Sequence, residues 1–269
     1  MRRARTGTGI GLALGLGLGL APMACEPTFD NAHVVDELRV LAVQAEPPEV
    51  GVGDAVHLEV LAASPNGGPV RVHLWQCAAR GGMRQGCEDF DDTIDLGEGG
   101  GAADLVIQEG WRERLDRAGG LPVQQVITIV ARREDEVSRA IKRIVVSDEP
   151  TPNRNPVLEA LLLEDEESEA RPFVVGPGGA VHLHPVVGEG SVEPYDKIRL
   201  DGAREPTTET LFLSYYYGCG RVANLRSGGP DDLGATWRAP DEPGRCSLYA
   251  ILRDDRGGVD FRVRELMIE

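Results

Sequence analysis

The feature that most constrains the fold of this chain is a repeat within it. Gly179-Ala180-Val181-His182-Leu183 echoes Asp54-Ala55-Val56-His57-Leu58, and in both stretches apolar and polar residues alternate. A period of two is that of a half-buried strand. Tyr217-Gly218-Cys219 echoes Trp75-Gln76-Cys77, each an aromatic two residues before a cysteine near the end of a strand. The closing pair, Ser247 to Arg253 and Val259 to Ile268, echoes Gln125 to Arg132 and Val137 to Val146. Its connection, Asp254-Asp255-Arg256-Gly257-Gly258, is a strong hairpin signal. Three matched stations in one order imply a duplicated domain. One register count disagrees: aligning the cysteines sets Leu213 against Arg71 and Ser214 against Val72. That exchanges the apolar face of the strand, so a bulge or an offset must intervene.

The remaining segments fit the same plan. Leu38 to Val43 reads as a strand ended by Pro47-Pro48, Ser64 to Gly68 as a turn, and Val70 to Trp75 as the strand that delivers Cys77. Glu88 to Gly101 is an acidic, glycine-rich loop, and Asp104 to Ala118 is the one helix-like stretch, with Leu105, Trp111 and Leu115 roughly on one face. Ser147 to Pro156 holds three prolines and no periodicity, the character of a linker. Aromatics are only 5% while glycine and proline supply 34 and 18 residues, which suits many turns and short elements better than a helical bundle. The expected architecture is all-β, two antiparallel β-sandwiches in tandem over residues 36–147 and 157–269, joined by 148–156.

The front end carries Arg2, Arg3 and Arg5, an apolar run from Ile10 to Ala21, and then Pro22-Met23-Ala24-Cys25. A charged start, a short apolar run and a small residue before a break form an export signal too short to span a membrane as a helix. A cysteine directly after the small residue resembles a bacterial lipoprotein signal, which implies lipidation of Cys25. Pro22 and Met23 depart from that pattern, which prefers Leu and a small residue at those places. A freely secreted product is the alternative, although no Ala-x-Ala site falls where it is needed. The expectation is a signal over 1–24, a polar tether over 25–35 and attachment to a membrane through lipid, with Glu26 tilting the destination to the outer membrane.

Five cysteines make an odd count, resolved if Cys25 carries lipid. The other four are Cys77, Cys87, Cys219 and Cys246, and export favours their oxidation. Of three pairings, the short loop and the domain boundary select Cys77–Cys87 with Cys219–Cys246. A metal site is the weaker reading, because no Cys-x-x-Cys or Cys/His cluster exists. The formal charge of −16 repels phosphate backbones, so no nucleic-acid partner is expected.

The segment Leu248-Tyr249-Ala250-Ile251-Leu252-Arg253-Asp254-Asp255-Arg256-Gly257-Gly258-Val259 resembles the last hairpin of immunoglobulin-like domains of the polycystic-kidney-disease type. The whole layout resembles uncharacterised bacterial lipoproteins that carry such domains. The resemblance implies two immunoglobulin-like sandwiches and a binding or structural role, and transfers neither catalytic residues nor a cofactor.

Other candidates divide between chemistry and plain structure. His182 and His184 share a strand face at a spacing that can chelate a metal, yet Val181 and Leu183 point the other way, as on any solvent-side strand face. Asp89, Asp91, Asp92, Asp95 and Glu98 crowd one loop. Calcium is one reading and a solvated acidic turn the stronger one, since Ile94 stands where a helix-loop-helix calcium site needs Gly. Tyr215-Tyr216-Tyr217 and Trp75 are either a stacking face for sugars or a peptide, or the aromatic core of a sandwich, and the core reading is preferred. No nucleophile elbow, zinc-protease helix or phosphate loop is present. The function expected is a membrane-anchored cell-envelope lipoprotein with a non-catalytic binding, adhesion or scaffolding role towards an envelope protein or polysaccharide. The competing class is an exported hydrolase or carbohydrate-active protein using its acidic residues.

Overall fold

A computed structural model describes residues 32–65, 67–78, 86–87, 93–119, 121–169, 172–199, 202–229 and 233–269. Residues 32–269 form one compact unit. Its first half contains β1 (Arg39–Glu46), β2 (Glu49–Val50), β3 (Ala55–Ala63), β4 (Arg71–Ala78), β5 (Ile94–Gly99), β6 (Ala102–Val106), α1 (Gly110–Arg117), β7 (Val123–Arg133) and β8 (Glu136–Val146). Two sheets face each other, β1-β3-β6 and β2-β8-β7-β4-β5. Between them lies a core that includes Val56, Leu58, Val72, Leu74, Ile127, Ile129 and Ile144.

The second half contains β9 (Leu158–Leu163), β10 (Phe173–Val175), β11 (Ala180–Val187), β12 (Pro194–Ile198), β13 (Arg204–Thr208), β14 (Phe212–Tyr217), β15 (Arg221–Ala223), β16 (Arg226–Gly228), β17 (Ala235–Arg238), β18 (Gly244–Arg253) and β19 (Val259–Ile268). Its sheets are β9-β11-β17-β15 and β10-β19-β18-β14-β16, with β12 and β13 as a separate two-stranded hairpin. In each half the long closing hairpin is antiparallel, while a short strand pairs parallel to its last strand: β2 to β8, and β10 to β19. Both halves are therefore immunoglobulin-like sandwiches built on one plan. Alternation explains the layers, since Val181 and Leu183 enter the second core while His182 and His184 face solvent.

The helix expected over Asp104 to Ala118 is only half there. Asp104, Leu105 and Val106 belong to β6, where Leu105 pairs with Val56 and Val106 with Ala55. Backbone hydrogen bonds from a neighbouring strand outweigh helical propensity in so short a stretch. The helix proper starts at Gly110 and buries Trp111 and Leu115, one turn apart, against the first core.

The disputed register resolves as an offset of one residue. Val146 pairs with Val50, and Ile268 with Val175, which fixes equivalent ends for the two closing hairpins. Counting back from there, Gln125 corresponds to Cys246 and Ile127 to Leu248. On the next strand Ala78 lies opposite Gln125. Tyr217 lies opposite Leu248 and Gly218 bonds to Ser247, so two pairs along from Tyr217, Cys219 lies opposite Cys246. Leu213, Tyr215 and Tyr217 thus take the inward places of Val72, Leu74 and Gln76, and Cys77 has no cysteine equivalent. The structure carries two bridges, Cys77–Cys87 and Cys219–Cys246. Cys219–Cys246 borders the second core, next to the Gly218–Ser247 hydrogen-bonded pair. Cys77–Cys87 lies on the outer face of its sheet with Val126 and Trp75.

The two sandwiches lie side by side. The outer face of β14, β18 and β19 presents Tyr216, Tyr249, Ile251, Phe261 and Val263, which pack on Leu41, Ala42, Leu61 and Ala63 of β1 and β3. Fully buried members such as Leu41 and Ile251 each contribute about 1.5–3 kcal/mol. At one end, residues expected in the tether join in: Tyr217 exchanges backbone hydrogen bonds with His33 and Val35, and the His33 ring stacks on Tyr216 at 4.9 Å. At the other end the β18–β19 loop enters the first sandwich. Asp254 accepts hydrogen bonds from the backbone of Arg256, Gly257 and Gly258, and a Cβ at Gly258 would lie 2.1 Å from its carboxylate. Arg256 then pairs with Glu49 at 2.8 Å and Glu209 at 3.2 Å, while Lys142 donates to the Gly257 carbonyl at 2.6 Å.

Residues 148–156, expected as a linker, are built into this junction. Asn153 is 1% exposed, its backbone donates to Glu49 and its side chain to Asp254, while Asn155 reaches the Ala45 carbonyl at 2.7 Å. Prolines end the strand period here without freeing the chain, because the carboxylates they approach need donors once buried.

Two outcomes follow from this arrangement. The Cys219–Cys246 loop spans 27 residues and the Cys77–Cys87 loop 10, worth about 3.6 and about 2.7 kcal/mol of unfolded-state entropy. Denaturant unfolding of Cys219→Ala/Cys246→Ala is therefore expected to show a loss about 1 kcal/mol larger than that of Cys77→Ala/Cys87→Ala. Separately, burial lowers the pKa of Lys142 to about 8, with Asp254 opposing the shift. The unfolded chain then binds more protons than the folded one between about pH 8 and pH 10.5, so stability rises with pH across that window. Lys142→Met should flatten the rise and stabilise the chain at pH 7 by up to roughly 3 kcal/mol, read from denaturant midpoints at both pH values.

Candidate binding cavity beside the helix

In an alternating strand the inward phase should be apolar, and on β4 and β7 it is not. Inward of Leu74 stands Gln76, and inward of Ile127 stands Gln125, 5% and 1% exposed. Strand pairing places Ala78 opposite Gln125 and Gln76 opposite Ile127, so the two amides are diagonal neighbours. Gln125 Nε2 donates to Gln76 Oε1 at 2.9 Å, and among the described residues Gln125 Oε1 has no hydrogen-bond partner. Leaving a buried acceptor unpaired costs about 1–3 kcal/mol.

These amides line a cavity of about 160 Å³ closed by α1. Cys77, Ala78, Ile94, Gln108, Gly110, Trp111 and Arg114 complete its described lining. The Arg114 guanidinium lies 5.3 Å above the Trp111 ring. A second hollow of about 440 Å³ shares Ala78, Trp111 and Arg114 with the first and adds Arg117, Val123 and Gln124. In the second sandwich, on the same plan, Tyr217 stands in the position of Gln76 and the Cys219–Cys246 bridge in that of Ala78 and Gln125, beside a separate hollow of about 440 Å³ lined among others by Gly218, Cys246 and Tyr249. The buried amide pair and the helix thus distinguish the first sandwich from the second.

The residues singled out in the sequence are dispersed. Cys25, Asp89, Asp91 and Asp92 lie outside the described residues. On β5, Asp95 meets His73 at 2.6 Å and Glu98 meets Arg71 at 3.6 Å, so these carboxylates are engaged by neighbouring side chains. The hydrogen bond from His73 holds the Asp95 carboxyl below its usual range. His182 and His184 stand on the open face with ring centroids 6.3 Å apart, and no group of three metal-ligating side chains occurs among the described residues. Tyr215 and Tyr217 are core, and Tyr215 donates to the Leu233 carbonyl. Burial raises the Tyr215 pKa. Trp75 stacks with His73 at 3.8 Å against the Cys77–Cys87 bridge.

Two further carboxylates are shifted, in opposite senses. Glu149 is lowered by its two hydrogen bonds from Arg204, whereas burial raises Glu209 in the junction. Glu149 borders a cleft of about 460 Å³ with Tyr195, Asp196, Arg204 and Arg256. Gln76 and Gln125 escaped the sequence reading, though a signal was present: each interrupts an apolar inward phase.

No protein-family model and no curated protein matches the chain. Among solved structures it is similar to Escherichia coli alpha-2-macroglobulin in its native conformation, with 10% identity and a TM-score of 0.26 over 86% of this chain and 17% of that one. It is similar also to dimeric latent PorU from Porphyromonas gingivalis, with 11% identity and a TM-score of 0.23 over 88% and 24%. The three N-terminal domains of the bacteriophage RB49 outer capsid protein Hoc show 14% identity and a TM-score of 0.21 over 87% and 70%. The chain thus spans less than a quarter of the first two, and at these scores the likenesses carry no argument.

If the amide pair exists for binding, the fold does not need it. Replacing both members, Gln76→Leu with Gln125→Met, is expected to leave stability within about 1 kcal/mol of the parent or to raise it. Thermal and denaturant unfolding measure this, and a loss above about 3 kcal/mol would mark the pair as structural.

Proposed function

We propose that this protein is a cell-envelope lipoprotein, held to a membrane by lipid on Cys25, whose paired immunoglobulin-like sandwiches serve a non-catalytic binding or scaffolding role. The observation that carries the reading is the closeness of the signal-like front to the compact unit. Six residues, Glu26 to Asn31, separate Cys25 from Ala32, where that unit begins. Fully extended, they reach about 20 Å, so the sandwiches would work close to the membrane surface. One bridge within each sandwich supports passage through an oxidising compartment. More than one acyl chain on Cys25 would hold the protein stably, since each buried methylene adds about 0.8 kcal/mol. Glu26 favours the outer membrane, and the resemblance of the last hairpin to polycystic-kidney-disease-type domains favours an envelope protein or polysaccharide as partner.

Detergent phase partitioning of the wild type against Cys25→Ser tests the anchor. The wild type should enter the detergent phase and the variant the aqueous phase. Equal recovery of both in the aqueous phase would remove the anchor from the proposal.

A further inference from the structure

We infer that the cavity beside α1 takes a neutral sugar ring, a single pyranose or the end unit of a glycan. This deepens the binding role proposed above and rests on it, but not on lipidation of Cys25.

The lining chemistry selects the ligand. Gln125 Oε1, buried and unpartnered, requires a hydrogen-bond donor. Gln76 beside it and the exposed Gln108 at the rim offer both amide donors and amide acceptors. A group that donates to one amide while accepting from the next is a hydroxyl, and vicinal hydroxyls match neighbouring amides. The described lining of both hollows holds no carboxylate, which disfavours a cationic ligand. Trp111, 8% exposed with the Arg114 guanidinium over its ring, adds an apolar edge to this polar lining.

Size and connection agree with one ring rather than a chain. The inner hollow, about 160 Å³, holds only about five waters at ~30 Å³ each. The outer one shares Ala78, Trp111 and Arg114 with it, so a ring entering from outside can place its hydroxyls on the inner amides. The second sandwich gives the internal control. Where it repeats the plan, a tyrosine and a disulfide stand in place of the amides, so an inward amide pair here is not a requirement of the fold.

The test titrates the purified full chain with glucose, galactose and N-acetylglucosamine, read by saturation-transfer and chemical-shift NMR. Saturable binding by at least one sugar at millimolar Kd is expected, as suits a few hydrogen bonds. Gln76→Leu/Gln125→Met and, separately, Gln108→Ala should each weaken it at least tenfold with the thermal midpoint retained. The rim variant guards against misfolding of the inner one. Wild-type protein that binds none of the three sugars overturns the inference, with water alone filling the hollow. Equal binding by wild type and both folded variants also overturns it, by placing the sugar elsewhere. Because the titration is done in solution, its failure is distinguishable from failure of the lipid anchor.

Discussion

The central strand pair of each sandwich, β4 with β7 and β14 with β18, sets what every neighbouring residue can do. In an antiparallel pair, side chains opposite one another share a face, and a slip of one residue turns each of them over. The register puts Leu213, Tyr215 and Tyr217 into the second core with Leu248, Ala250 and Leu252. The same register leaves Tyr216, Tyr249 and Ile251 outside, where they become the apolar floor of the junction. Core, junction and the Cys219–Cys246 bridge are thus consequences of one alignment.

The junction then makes two similar sandwiches into one body. Apolar contact supplies the attraction, while Arg256, Glu49, Glu209, Asp254, Asn153 and Lys142 decide the fit, because buried charges must find partners. Lys142 marks the cost of that fit, since burial disfavours its charged form. The outer face of β14, β18 and β19 is thus largely committed to the partner sandwich, although Tyr249 also lines a hollow of about 440 Å³ at its edge. The α1 cavity, in contrast, belongs wholly to the first sandwich and stands away from the residues that hold the two together.

The two sandwiches share one plan and depart from it at a few positions. Both copies keep the alternation of β3 and β11, the parallel short strand and the long closing hairpin. They differ where one has Gln76, Ala78 and Gln125 and the other Tyr217, Cys219 and Cys246. In the first copy the disulfide lies on the outer face, through Cys77, and an inward polar pair sits under a helix.

By itself the sequence determined the all-β class, the duplication and the strands that carry it, because a period of two is a local property of consecutive residues. It also limited the helix to one region, although β6 took the first part of that stretch by pairing with β3. Only the tertiary structure decided which sheet face is covered, since Tyr216 and Tyr215 are adjacent in the chain and indistinguishable until the neighbouring sandwich is in place. It alone turned the proline-rich segment 147–156 into part of a packed junction, through carboxylates distant in sequence such as Glu49 and Asp254. And it alone brought Gln76, Gln108 and Gln125 to one cavity, because strand register and helix packing, not local pattern, set which distant side chains meet.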